Sequence, residues 1–82
     1  MMTYTIAISK VTDGEQEFII GCEFKNKLRA DQVYSEIDNK YQTEPDYFTD
    51  YLIDLYHGDD LVSTFVTNAY NADMIYTLYF NP

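Results

Sequence analysis

The chain has little of what a secreted, metal-binding or membrane-spanning protein needs. Among 82 residues there is one cysteine and no tryptophan. A single cysteine, Cys22, excludes an internal disulfide and a cysteine-based zinc site. No run approaches the ~18–20 apolar residues of a membrane-spanning helix, and no basic segment precedes the first apolar stretch as it does in a signal peptide. We therefore expect a soluble protein of the cytoplasm.

The second half of the chain lacks basic residues altogether. All five Lys and Arg lie within residues 1–40, beside seven acids, whereas residues 41–82 carry seven acids and no base. The formal net charge is −9. A field of this sign repels nucleic acid and anionic membranes and speeds the encounter with a basic partner. The composition predicts no direct binding to nucleic acid or membrane, and a protein partner with a cationic groove.

Recognisable catalytic and metal-binding motifs are also missing. Cys22 lies in an apolar stretch with no neighbouring base to activate it, which predicts a structural thiol. His57 is the one histidine, so no histidine pair can hold a metal. Asp59 and Asp60 follow it without the spacing of a calcium loop. We expect no enzyme activity, no metal and no cofactor.

The first half of the chain predicts a β-hairpin followed by a helix. Residues 3–9 alternate polar with apolar, Asp13-Gly14 is a strong hairpin turn signal, and residues 17–24 read as the returning strand. From about Lys27 to Tyr41 the apolar residues recur at helical spacing. These segments give ββα over the first 41 residues.

The second half predicts another helix and two more strands. Thr43 and Asp46 resemble a capping pair that starts a helix ending near His57, with Gly58 as its stop. Residues 61–67 are β-branched and predict a strand, with extension of the helix as the alternative. Residues 68–73 read as a loop and 74–80 as the last strand. The predicted fold is one α+β domain over residues 1–82, in the order ββααββ: a two-layer sandwich with a four-stranded antiparallel sheet and both helices on one face.

The predicted second helix carries a row of aspartates. At about 100° per residue, Asp46, Asp50 and Asp54 lie within roughly 80° of one another and about 6 Å apart along the axis. Like charges at this spacing destabilise a helix, which favours a functional reason for the row. We expect a partner-binding face of these three residues, extended by further acids and bordering tyrosines: Glu44, Asp59, Asp60, Tyr47 and Tyr51.

Two hypotheses for the function follow from this face. The first is a DNA-mimicking inhibitor that occupies the cationic nucleic-acid groove of a nuclease, a CRISPR effector or another DNA-binding protein, as phage-encoded anti-restriction and anti-CRISPR proteins do. The alternative is a small structural or regulatory interaction module, either a monomer or a homodimer paired through an edge strand, with the uncharged segment 75–80 as that edge. The acids also fit an ordinary solvated surface.

Overall fold

The computed structural model describes residues 2–46 and 48–80. Within them the chain forms four strands and two helices in the order ββαββα. The elements are β1 Tyr4–Thr12, β2 Glu15–Phe24, α1 Lys27–Tyr41, β3 Thr49–His57, β4 Asp60–Thr67 and α2 Ala69–Ile75, the last continuing as a π-helical turn over Tyr76–Phe80. None of the helices in these residues is long and apolar enough to cross a lipid bilayer.

The four strands make one antiparallel sheet in the order β2-β1-β3-β4, and both helices cover the same face of it. Ile6 and Ile8 of β1 stand opposite Leu55 and Ile53 of β3. The helices pack onto these side chains with Val33 and Ile37 from α1 and with Ala72 and Ile75 from α2. The predicted α+β class and its two-layer arrangement are confirmed.

The first hairpin and the first helix form where the pattern predicts them. Asp13 and Gly14 both have positive φ, 51° and 82°, as the centre of a type I′ turn requires. Asn26 caps α1, since its side chain accepts from the backbone N–H of Arg29 (3.1 Å). Residues 61–67 belong to β4. All three predictions are confirmed.

The predicted second helix is wrong: Thr49–His57 is strand β3, which pairs with β1 on one side and β4 on the other. Tyr51, Ile53 and Leu55 alternate toward the helices, so the segment satisfies the period of a strand as well as that of a helix. Gly58, with a φ of 63°, makes the turn between β3 and β4 instead of ending a helix.

The predicted last strand is wrong as well, because residues 69–80 are helical. Asn68 is the N-cap, its side chain accepting from the backbone N–H of Asn71 (2.8 Å). Ala72 and Ile75 are three residues apart and both buried, which is helical spacing. As a helix the segment covers apolar side chains of the sheet that α1 leaves open. The order is therefore ββαββα, not ββααββ.

Two aliphatic residues of equal size on α1, one buried and one exposed, test this packing. Ile37 is fully buried, whereas Leu28 on the same helix is 66% exposed. We expect Ile37→Ala to lower the free energy of unfolding by about 2–5 kcal/mol, through lost burial and the cavity it leaves. Leu28→Ala, the control, changes it by less than about 0.5 kcal/mol. Urea denaturation measures both, and equal losses would contradict the assignment of faces on α1.

Candidate functional site

The row of three aspartates does not exist as predicted, because two of its members lie on a strand. Asp50 and Asp54 belong to β3 and point to the sheet face that the helices leave open. Four residues along a strand span about 13 Å, twice the separation that a helix would give. The separation of about 6 Å that a helix would give these carboxylates is thus absent from this segment.

Asp54 is not available to a partner. Only 3% of it is exposed, in the middle of the sheet between Ala7 of β1 and Thr64 of β4. The Thr64 hydroxyl donates a hydrogen bond to its Oδ1 (2.5 Å). A buried carboxylate with a close hydroxyl donor is a structural group of the sheet.

Asp46 and Asp50 shape the turn that leads into β3. Oδ1 of Asp46 accepts from the backbone N–H groups of Phe48 (2.7 Å) and Thr49 (3.1 Å). The backbone N–H of Asp46 in turn donates to Oδ1 of Asp50 (3.0 Å). This is how an aspartate before a strand organises an Asx-type turn. Asp46, which together with Thr43 resembled the start of a helix, caps a turn instead.

The remaining predicted residues are spread over the molecule. Glu44 is exposed in the loop before β3. Asp59 in the β3–β4 turn and Asp60 at the start of β4 are exposed, more than about 20 Å along the strand from Asp50. Tyr51 is half-buried on the helix-covered face, opposite to the side on which Asp50 lies. Tyr47 lies outside the described residues.

A different acidic surface forms at the end of the sheet where β3 begins. The sheet pairing places Thr12 between Glu15 and Thr49, and Val11 between Gln16 and Asp50. The β1–β2 hairpin and the start of β3 therefore meet within about 10 Å, two strand spacings. Asp73 of α2 lines a groove with Tyr51 at the same end. We call this surface the acidic pole; its members are Asp13, Glu15, Glu17, Asp46, Asp50 and Asp73.

Few positive charges oppose the acidic pole. Lys10 of β1 stands opposite Glu17. Lys40, at the end of α1, is held by Glu36 in an ion pair (3.2 Å). The other three bases of the chain, Lys25, Lys27 and Arg29, follow the end of β2 at the opposite pole. Sequence reasoning missed the acidic pole because half of its carboxylates come from the first half of the chain, whose net charge is close to balanced.

The opposite pole holds a short charge network between α1 and β3. The Asp31 carboxylate accepts from the Lys27 ammonium (2.9 Å) and from Nε2 of His57 (2.9 Å). The Lys27 hydrogen bond, followed by the His57 hydrogen bond, holds the pKa of the Asp31 carboxyl below its ordinary value of 3.8. The edge of the Tyr4 ring meets the His57 ring at a centroid distance of 5.2 Å. His57 thus has a structural position between helix and sheet.

Cys22 lies on β2 next to Ile6 of β1. It is half-buried, and burial raises the pKa of its thiol. A raised pKa lowers the thiolate fraction and with it the reactivity of the sulfur. Among the residues that the structure describes, no group of three or more His, Cys, Asp or Glu side chains has the arrangement of a metal site.

A comparison of this chain with models of protein families, with curated proteins and with solved structures finds no match in any of the three.

A substitution at Asp46 tests whether its side chain stabilises the turn before β3. Asp46→Ala removes the acceptor of two backbone N–H groups, and we expect the free energy of unfolding to fall by about 0.5–2 kcal/mol, as for the loss of a helix cap. Glu44→Ala removes a charge two residues earlier in the same loop and serves as the control, with a change below about 0.5 kcal/mol. Thermal unfolding of both variants at pH 7 measures this. Equal effects would mean that Asp46 contributes only charge.

The Asp31 network predicts a dependence of stability on pH. Because the folded-state pKa of Asp31 lies below 3.8, its ionised form stabilises the fold above that pH, and the contribution is lost as pH falls through the folded-state pKa. We expect Asp31→Asn to lower the free energy of unfolding at pH 7 by up to about 1 kcal/mol, typical of a partly exposed pair. Below the folded-state pKa the difference from the parent protein should vanish. A difference that stays constant from pH 7 down to that pH would contradict this.

Proposed function

We propose that the protein is an acidic inhibitor that occupies the cationic nucleic-acid-binding groove of a nuclease, a CRISPR effector or another DNA-binding protein. The single observation that carries this proposal is the acidic pole, which gathers six carboxylates at one end of an elongated domain. The surface proposed to bind is therefore the acidic pole rather than the predicted helical row, whose Asp54 is buried.

The electrostatics of the acidic pole favour a cationic groove over a small basic ligand. The β1–β2 hairpin and the start of β3 with the turn before it carry five of the six carboxylates and meet within about 10 Å, close to the Debye length at 0.1 M salt, so the fields of these carboxylates add. Glu15 and Glu17 project to the same face of β2, about 7 Å apart. B-DNA carries one phosphate per ~3.4 Å of axis on each strand, so this pair matches every second phosphate.

The acidic pole also has the aromatic surface that protein interfaces use. Phe48, which follows the Asp46 turn, is 78% exposed. An exposed aromatic ring beside carboxylates supplies apolar contact area next to charge pairs with Arg and Lys, and aromatic residues are enriched in protein interfaces.

The proposal includes the biological setting. Inhibitors of this type are often anti-restriction or anti-CRISPR proteins encoded by phages, and their targets act in the cytoplasm of the host. We propose the same compartment and the same kind of partner for this chain. Since the net charge is −9, direct binding to the nucleic acid itself is not part of the proposal.

Two triple variants with the same change in charge test the proposal. Asp13→Asn, Glu15→Gln and Glu17→Gln together neutralise half of the acidic pole, while Glu23→Gln, Asp59→Asn and Asp60→Asn remove three exposed acids elsewhere. We expect the first set to weaken inhibition of the target by at least tenfold and the second by less than threefold. Restriction and CRISPR nucleases are assayed for DNA cleavage at low salt with increasing inhibitor, followed by a salt titration.

The comparison of the two sets decides between local and global electrostatics. Inhibition should weaken steeply with salt for the parent protein and less steeply for the acidic-pole variant, since fewer ion pairs form. Equal losses for the two sets would show that only the total charge matters and would contradict a role for the acidic pole. Absence of inhibition across the nuclease panel would contradict the proposal itself.

A further inference from the structure

Strand β2 is an edge of the sheet, and in the described part of the chain no strand pairs with its outer side. Residues Glu15–Ile19 are all exposed, with Phe18 65% and Ile19 47% exposed. A ten-residue edge with two exposed apolar side chains is a template for pairing with another chain.

A groove runs beside this edge, between β2 and α2. Its volume is about 410 Å³, within the range of binding pockets. Ile19 and Ile20 form one wall and Ala69, Ala72 and Tyr76 the other, while Ile8 and Tyr51 lie beneath. The groove is therefore mostly apolar.

A β-bulge explains why two consecutive residues of β2 line the same groove. Ile8 pairs with Ile20 and Ser9 with Phe18, so Ile19 is the extra residue on β2. In a strand without a bulge, Ile19 and Ile20 would point to opposite faces. A bulge redirects side chains in this way and is frequent next to binding sites.

The charges around the groove define the chemistry of its occupant. Asp73 lines the groove, and Glu17 projects to the same face from β2. The strand Glu15–Phe24 contains three glutamates and no base. In several antiparallel registers a second copy of this chain would set its own glutamates opposite these, which is destabilising. An extended segment with Lys or Arg two residues to either side of an apolar residue places all three side chains on one face and complements both the groove and its rim.

We propose that β2 and the groove beside α2 bind an extended basic segment of the partner protein as an added fifth strand. Main-chain hydrogen bonds to the edge hold the segment, an apolar side chain enters the groove, and basic side chains meet Glu17 and Asp73. The inference deepens the proposed function, since it names the part of the partner that is bound, but it depends on different atoms: the backbone of β2 and the side chain of Ile19.

The probe is a capped heptapeptide, Thr-Lys-Thr-Val-Thr-Lys-Thr, whose valine and two lysines share one face of an extended strand. It is titrated at low salt into the full chain labelled with 15N. Ile19→Arg fills the groove entrance with a positive charge, and we expect it to weaken peptide binding by at least tenfold. Val62→Arg is the matched control on the other edge strand, with 48% exposure against 47% and the same change in charge. It should weaken binding by less than threefold. Amide shifts in the parent protein should concentrate on β2 and α2.

Two N-methylated versions of the peptide separate strand addition from charge attraction. One is methylated at the odd-numbered amides and the other at the even-numbered amides, so each keeps the charge but lacks half of the main-chain donors. At least one of these two peptides should bind at least tenfold more weakly than the unmethylated peptide. Unchanged binding of both, equal loss for the two arginine variants, or shifts centred on β4 would overturn the inference. So would a concentration-dependent dimer with shifts on β2, because a second copy would then be the occupant.

These outcomes are distinguishable from those of the proposed function. If a nuclease is inhibited equally by the parent protein and Ile19→Arg, the proposed function stands and the strand-addition inference fails. If the peptide binds at β2 but no nuclease is inhibited, the inference stands and the proposed function fails.

Discussion

The pairing of β1 with β3 is the constraint on which the rest of the structure depends. These are the two central strands, and their register sets Ile6 opposite Leu55 and Ile8 opposite Ile53 beneath both helices. A slip of one residue would turn these apolar side chains to the open face and bring the Asp54 carboxylate into the core. Because only one face of the sheet is covered by the helices, such a slip is strongly unfavourable and the register is well defined. The same register also decides where each carboxylate lies.

That register divides the acids of the second half into two kinds. Asp54 becomes an internal group of the sheet with Thr64 as its donor, while Asp46 and Asp50 become the turn at the start of β3. The aspartates that look most alike in the sequence therefore have different environments. Conversely, Asp13 and Asp73 lie 60 residues apart in the chain and reach the same end of the fold because β1, β3 and α2 converge there.

The features that sequence reasoning predicted are those determined by local interactions. The Asp13-Gly14 turn needs only its two residues, and α1 has a capping asparagine and a buried stripe of its own. Segment 49–57 was ambiguous, because Tyr51 and Leu55 fit a helical stripe while Tyr51, Ile53 and Leu55 fit a strand. The pairing with β1, which lies some forty residues away, settles the matter, and no local pattern contains it.

The candidate site depended on that same ambiguity, so its error follows from the error in the fold. The count of charges does not depend on the fold. A row of carboxylates at every fourth residue, however, lies on one closely spaced line only in a helix, and Thr49–His57 is a strand. For α2, the Asn68 cap and the spacing of Ala72 and Ile75 were available signals. They were outweighed by the β-propensity of the aromatic and β-branched residues in segment 74–80, which is decisive only where a neighbouring strand exists.

The acids on the free edge connect the two proposals by one physical argument. An exposed edge strand must avoid pairing with copies of itself, and charged side chains are a common means of doing so. Glu15, Glu17 and Glu23 give β2 that protection in the antiparallel registers that set two of them opposite each other, such as Glu15 with Glu23 or Glu17 with Glu17. The repulsion is selective, however, because a basic strand meets attraction at the same positions. If negative charge is what keeps this chain from pairing with itself, the same charge makes both proposed surfaces, the acidic pole and the β2 edge, complementary to cationic partners.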